Sequence, residues 1–211
     1  MTTAAAMPFV ALVLAYLIGS IPTAYLVGRT YGIDLRTVGS GNLGATNVFR
    51  TLGWKAGLFV YIVDLLKGAV PVLFLPGVAR VAAGWPWGVA FGVLAIAGHV
   101  RPVFLMGKGG GKGVATASGV FLALAPIPFL AAFAAFVITV QLTKYVSLGS
   151  LIGAVVLPVA LLLQTRALTP LVLVSVGVCA FVFWTHRDNI TRLRTGNERR
   201  VGRAPEAVSE R

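Results

Sequence analysis

From Met7 to Val27 the chain runs about 21 residues without a charged side chain, and a helix of that length crosses roughly 30 Å of hydrocarbon. Further apolar runs follow at Leu52–Leu75, Trp85–Val100, Val114–Val140, Val146–Leu163 and Leu168–Trp184. Together they occupy most of the 211 residues and leave no interspan segment long enough for a soluble domain. The composition agrees. Hydrophobic residues make up 57% and charged residues 11%, about half the charged fraction of a soluble domain, and the mean hydropathy is +0.88. The first run lacks the basic start of a signal peptide. The reading is an all-α integral membrane protein.

Val114–Val140 is longer than one span needs and is interrupted by Ala125-Pro126-Ile127-Pro128, which ends one helix and starts another. Loop charges decide whether it crosses once or twice, because each span flips the side of the next loop. Arg29, Arg36, Arg50 and Lys55 place the first long loop in the cytoplasm and the N-terminus outside. Arg80 then lies outside, and Arg101, Lys108 and Lys112 inside. A single crossing puts the arginine-rich tail outside, against the charge rule. A hairpin of two short helices, about 12 to 15 residues each, puts it in the cytoplasm and leaves only Arg166 out of place. The expectation is therefore seven transmembrane helices, some short, with the N-terminus external and the C-terminus cytoplasmic. Residues 1–198 form one transmembrane domain and 199–211 a basic, disordered tail.

Charge is lopsided, 18 Lys+Arg against 6 Asp+Glu for a net +12, which points to an anionic partner, phosphate above all. Cys179 is alone and the only histidines are His99 and His186, too few ligands for a zinc cluster. Three polar clusters fall on the cytoplasmic side. The first, residues 39–50, joins Gly39, Gly41 and Gly44 to Ser40, Asn42, Thr46, Asn47 and Arg50: backbone N–H groups freed by glycine, hydroxyl and amide donors, and a guanidinium fork. It also matches G-x-G-x-x-G, with Asp64 20 residues beyond Gly44. That dinucleotide fingerprint needs a strand in a soluble βαβ unit, and here the motif lies between two spans. An ordinary flexible turn is the alternative.

The second cluster, residues 106–116, carries five glycines among Gly107–Gly113 together with Lys108, Lys112 and Thr116. It departs from the Walker pattern at Met106 and Gly113. Glycines opening onto a helix still leave N–H groups at its positive end, with Lys112 adding a mobile charge; a loop that serves topology alone is the other reading. In the third, residues 186–198, a helix continuing past the last span would put His186, Asn189 and Leu193 on one face. A basic collar on anionic lipid explains its arginines equally well, though not His186 and Asn189. Within the membrane, Asp64 and Lys67 sit one turn apart, as an ion pair or in a polar cavity. His99 is either a proton carrier or a packing histidine.

The strings GSGNLGATNVFR, GHVRPVF followed by GGKGVAT, and HRDNITRLRTGNE resemble the three signature segments of the bacterial acyl-phosphate:glycerol-3-phosphate acyltransferases, a likeness that runs from Ile18 to Glu198. It implies a seven-helix enzyme of the inner membrane with its active site facing the cytoplasm. The implied reaction moves a fatty acyl group from acyl phosphate to the 1-hydroxyl of sn-glycerol 3-phosphate. It implies no metal, coenzyme A, acyl carrier protein or other cofactor, no nucleic acid and no obligate protein partner beyond membrane lipids.

Carried onto this sequence, Ser40, Lys112 and His186 are expected to be catalytic. Gly39, Gly41, Asn42, Gly44, Thr46, Asn47, Arg50, Gly113, Thr116, Ser147, Ser150 and Asn189 are expected to bind substrate. Arg50, Lys112, His186 and Asn189 suit the glycerol phosphate, and Gly39–Asn42 with Gly113 and Thr116 the donor's phosphate. A substrate phosphate is the favoured proton acceptor, with His186 a ligand. Three glycines separate Lys108 from Lys112 where the family pattern has two, so only Lys112 carries over, and Arg101 replaces an apolar or aromatic residue. A transporter or channel for organic phosphate is the alternative; the sequence has no internal repeat of the kind such proteins show.

Overall fold

The computed structural model describes the backbone from residue 3 and side chains from residue 6, both to residue 201. Ten α-helices and one 3₁₀ turn, at Val103–Leu105, make up the described residues, without a strand. The first apolar run divides at Ile21-Pro22 into α1 (Thr3–Ser20) and α2 (Thr23–Thr30). A proline cannot donate to the helix before it, and the run continues after an offset turn. The first polar cluster ends in α3 (Ala45–Leu52), and Gly53 at φ +90 turns the chain into α4 (Trp54–Ala79). Beyond these come α5 (Trp87–Val100), α6 (Val114–Leu124), α7 (Pro126–Thr143), α8 (Val146–Thr165) and α9 (Pro170–Thr185).

Five segments are long and apolar enough to cross a membrane: Ala6–Thr30, Trp54–Ala79, Trp87–Leu105, Pro126–Thr143 and Val146–Thr165. A sixth is α9 taken with α10 (Arg187–Arg194), which is bent from it by 61°. The last helix therefore does not run straight into the third cluster; it stops at His186 and restarts. The Ala-Pro-Ile-Pro break does divide its run, at Ala125, but unequally, into helices of 11 and 18 residues in place of two halves of 12 to 15.

The surface is what a bilayer dictates. Phe74, Ile127, Leu142 and Leu163 are 65%, 69%, 79% and 72% exposed, an apolar exterior that only hydrocarbon solvates well. Between helices, small residues bring backbones together. A β-carbon on Gly19 of α1 would overlap Ala95 of α5, and one on Gly98 would overlap Tyr16 and Ser20. Gly68 of α4 and Gly119 of α6 meet each other's helix in the same way. Separate apolar clusters fill the remaining space, Ala11, Leu75 and Phe91 joining α1, α4 and α5, and Phe121, Phe129, Leu157 and Val172 joining α6 to α9.

Residues 199–201, the start of the tail expected to be disordered, are tied to the helical body. Arg50 Nη2 donates to Arg199 O (2.8 Å), Arg200 Nε to the Tyr145 hydroxyl (3.1 Å) and Val201 N to Lys144 O (2.9 Å). The rest of that tail, 202–211, lies outside the described residues.

Candidate active site

All three polar clusters open into one cavity of about 290 Å³. The first turns of four helices line it: Ala45, Thr46 and Asn47 of α3, Val114 and Ala115 of α6, Val146 and Ser147 of α8, and Asn189 of α10. Helix N-termini present unpaired N–H groups and the positive end of the macrodipole. None of these four has a side-chain cap accepting its free N–H groups. Arg50, Lys112, Arg192 and Arg199 add four cations to the wall against two acids, Asp64 and Glu198. Four positive helix ends with a cationic surplus give the cavity the electrostatics that favour an anion.

Two glycines make the geometry possible. Gly39 has φ +66, and a β-carbon there would overlap the Asn47 amide oxygen; Gly113, the N-cap of α6, has φ +83. Both lie in the left-handed region that glycine enters without steric cost. Asn47 is 2% exposed and its amide is fully used within the loop, Oδ1 accepting from Ser40 N (2.9 Å) and Nδ2 donating to Leu35 O (3.2 Å) and Val38 O (3.1 Å). It lines the cavity as a strut that holds Ser40 and Gly39 in place.

On the opposite wall, Lys112 donates to Asn189 Oδ1, whose Nδ2 donates to Glu198 Oε1 (2.7 Å). The same carboxylate accepts from Ser147 Oγ (2.9 Å) and Arg192 Nε (2.8 Å). Glu198 is the hub of the third cluster. Burial pushes its carboxyl up, but the hydrogen bonds from Asn189, Arg192 and Ser147 outweigh that and hold it below the usual range. Burial, and then the Arg192 charge, pulls Lys112 down to about 8. Arg50 is likewise lowered, chiefly by burial. His186 is 4% exposed and its Nδ1 lies 2.8 Å from Val182 O. A carbonyl only accepts, so Nδ1 carries the proton and Nε2 is the nitrogen left for the cavity.

Of the expected site residues, Gly39, Ser40, Asn42, Gly44, Thr46, Asn47, Arg50, Lys112, Gly113, Ser147, Ser150, His186 and Asn189 all line the cavity, and Gly41 and Thr116 do not. Gly41 shapes the turn behind the wall, with φ +70 and its N–H on Val38 O (3.1 Å). Thr116 is fully buried, its carbonyl against Gly68 of α4 and its Oγ1 without a hydrogen-bond partner, and it lies one residue beyond Val114 and Ala115, which line the cavity. Lys108 is exposed and outside the lining.

The wall also contains Glu198, Arg199, Tyr61 and Phe136, which no motif singled out, together with Asp64, His99 and Arg192, which the sequence had marked without assigning them to the site. The available signal for Glu198 was a single acid within an arginine run. Phe136 and Tyr61 continue, with Val114 and Ser150, into an adjoining apolar groove of about 90 Å³ bounded by Phe121, Phe129, Leu157 and Val178.

The model of the family described as glycerol-3-phosphate acyltransferase matches residues 9–196. The chain is 47% identical to a glycerol-3-phosphate acyltransferase of Geotalea daltonii, over 87% of this chain and 92% of that protein. It is 47% identical to one from Thermus thermophilus, over 93% and 96%. Two crystal structures of PlsY, an integral membrane glycerol 3-phosphate acyltransferase, are similar in fold. The glycerol 3-phosphate form superposes with a TM-score of 0.84 at 37% identity, covering 92% of this chain and 96% of that one. The lysophosphatidic acid form gives 0.82 at 35%, covering 92% and 95%.

Proposed function

The chain belongs to the glycerol-3-phosphate acyltransferase family, and from that premise we propose that it moves a fatty acyl group from acyl phosphate to the 1-hydroxyl of sn-glycerol 3-phosphate, releasing 1-acyl-sn-glycerol 3-phosphate and phosphate. The observation that carries this is a cationic cavity ringed by four helix N-termini and continuous with an apolar groove. One end suits phosphates and the other a fatty chain.

The chemistry needs little more. Acyl phosphate is a mixed anhydride with a good leaving group, so the requirements are positioning, neutralisation of two phosphates and loss of one proton. Arg50, Lys112 and Asn189 hold glycerol phosphate. Ser40, Asn42 and the N–H groups beside Gly39 and Gly113 hold the donor's phosphate, and the first turn of α6 faces the negative charge that develops on the carbonyl oxygen. The hydroxyl oxygen attacks the acyl carbon, the bond from that carbon to the phosphate oxygen breaks, and the hydroxyl proton passes to a phosphate oxygen. His186 Nε2 accepts a hydrogen bond from the neighbouring 2-hydroxyl of the glycerol and so fixes the direction of the attacking 1-hydroxyl, whose own proton stays directed at the phosphate oxygen. With Nδ1–H spent on Val182 O, the neutral ring suits a hydroxyl better than a phosphate oxygen.

The setting proposed is a bacterial inner membrane with the cavity on the cytoplasmic side and seven crossings. The starts of α6 and α8 both line the cavity, which supports an out-and-back course of α6 and α7 between them. Local thinning accommodates the 11-residue α6.

The purified protein, given acyl phosphate and glycerol 3-phosphate, is expected to release phosphate and form lysophosphatidic acid in equal amounts. Uptake of glycerol phosphate into vesicles without acyl transfer would overturn the reading in favour of a transporter. Because Lys112 binds phosphate as a cation and its pKa lies at about 8, kcat/KM for glycerol phosphate is expected to fall about tenfold per pH unit above that value. Lys112→Arg removes this limb from the accessible pH range, and an unchanged profile in that variant would assign the limb to another group. His186→Gln, which keeps an acceptor but loses the ring, is expected to raise KM for glycerol phosphate more than it lowers kcat; a large loss of kcat at unchanged KM makes His186 the base instead.

A further inference from the structure

Three ionisable side chains at the inner wall have no task in the reaction above. Asp64, Lys67 and His99 are 1%, 4% and 7% exposed. Lys67 Nζ lies 2.6 Å from Asp64 Oδ1 and donates to Ile21 O at 2.6 Å, while His99 Nδ1 lies 3.8 Å from the same carboxylate oxygen. Ile21 O is the carbonyl at the α1–α2 break, where Pro22 interrupts the helical ladder. Charges this deep in a membrane protein are costly and are retained where they do something an apolar pair cannot.

Their position indicates what that is. Asp64 and His99 line the main cavity, and with Lys67 they also bound a second pocket of about 10 Å³ behind it, closed by Thr23 and Gly109–Gly111. That volume suits about one water, and Thr23 Oγ1 is buried there without a hydrogen-bond partner. The glycine loop rests on His99 itself. Gly111 N donates to His99 O (3.2 Å), and a β-carbon on Gly111 would overlap the His99 ring. The next residue is Lys112.

We propose that Asp64, Lys67 and His99, with one water in the small pocket, form a positioning network that seats the glycine loop against the α1–α2 break and so places Lys112 and the first turn of α6. Its kinetic consequence rests on Lys112 acting as a phosphate ligand; the seating of the loop does not. The test is a cycle of His99→Ala, Gly111→Ala and the double variant in the full chain, with His99→Asn as the conservative replacement and Asp64→Asn as a second entry to the network. Hydrogen exchange of residues 109–113 is read together with kcat, KM and thermal unfolding.

His99→Ala is expected to speed exchange in 109–113 at least tenfold with the rest of the bundle unchanged, and to lower kcat/KM by about ten- to a hundredfold. His99→Asn restores most of both, and Asp64→Asn repeats the local exchange effect if the alanine variant fails to fold. The double variant loses less than the product of the two single losses, since removal of the ring makes room for the methyl group. Unchanged exchange in 109–113, strictly multiplicative losses, or a general fall in protection alone overturns the proposal. Should the wild-type protein transfer no acyl group, the function fails, and the exchange cycle still decides the seating of the loop.

Discussion

Replacing Lys112 by alanine is expected to lower kcat/KM for glycerol phosphate by about 10²- to 10³-fold, a transition-state loss of about 3–4 kcal/mol. The size follows from where the ammonium sits. It hydrogen-bonds Asn189, lines a partly enclosed cavity, and burial has already drawn its pKa to about 8. A cation that the protein desolvates in the free state recovers its cost only when an anion binds beside it. Removing it deprives the substrate phosphate of a close charge and leaves Asn189 Oδ1 without its donor. Lys112→Arg keeps the charge but brings a planar fork into space shaped for a compact ammonium, and is expected to recover only part of the rate. Steady-state kinetics with both substrates varied checks this; a loss below tenfold for the alanine variant would remove Lys112 from the phosphate site.

The second large effect is on stability. Glu198→Ala is expected to destabilise the protein by about 3 kcal/mol, seen as a fall in Tm of about 6–12 °C for a chain of this size. One carboxylate accepts from Asn189, Ser147 and Arg192, and so joins α10, the start of α8 and the segment that follows α10. The alanine variant orphans all three donors at once. Glu198→Gln preserves an amide oxygen for Asn189 and Ser147 while losing the ion pair with Arg192, whose side chain is 38% exposed, and is expected to fall about midway. Thermal unfolding of the purified protein separates the three, and equal Tm values for wild type and alanine would mean that the carboxylate contributes no net stability.

Much was legible along the chain because single physical constraints act locally. Long apolar runs with few charges have few solutions in hydrocarbon, and the five candidate spans fall on runs visible in the residues. The Pro126-Ile127-Pro128 break was readable because proline removes a donor at a known place. Pro22 carries the same signal, but an unbroken apolar character on both sides hid the division of the first run into α1 and α2. The unequal halves around Ala125 escaped for a related reason: the proline marks where one helix stops, but α7 runs on through exposed Gln141 and Leu142 until Lys144 turns the chain at φ +64, and no proline or glycine marks that end.

Which groups are available could be read along the chain, namely the glycines of the loops, Arg50, Lys112, His186, Asn189 and a surplus of positive charge, because residue type dictates donors, charge and accessible backbone angles. It took the packed fold to bring the first turns of α3, α6, α8 and α10 onto one cavity, to set Glu198 against three of its donors, to use Asn47 as a strut, and to bury Thr116 outside the cavity lining. Those outcomes depend on the rotation of each helix about its own axis and on the close approach of backbones at Gly68 and Gly119. Rotation by about 100° per residue moves a side chain from the site to the core within a single step, and it is set by what lies across the interface.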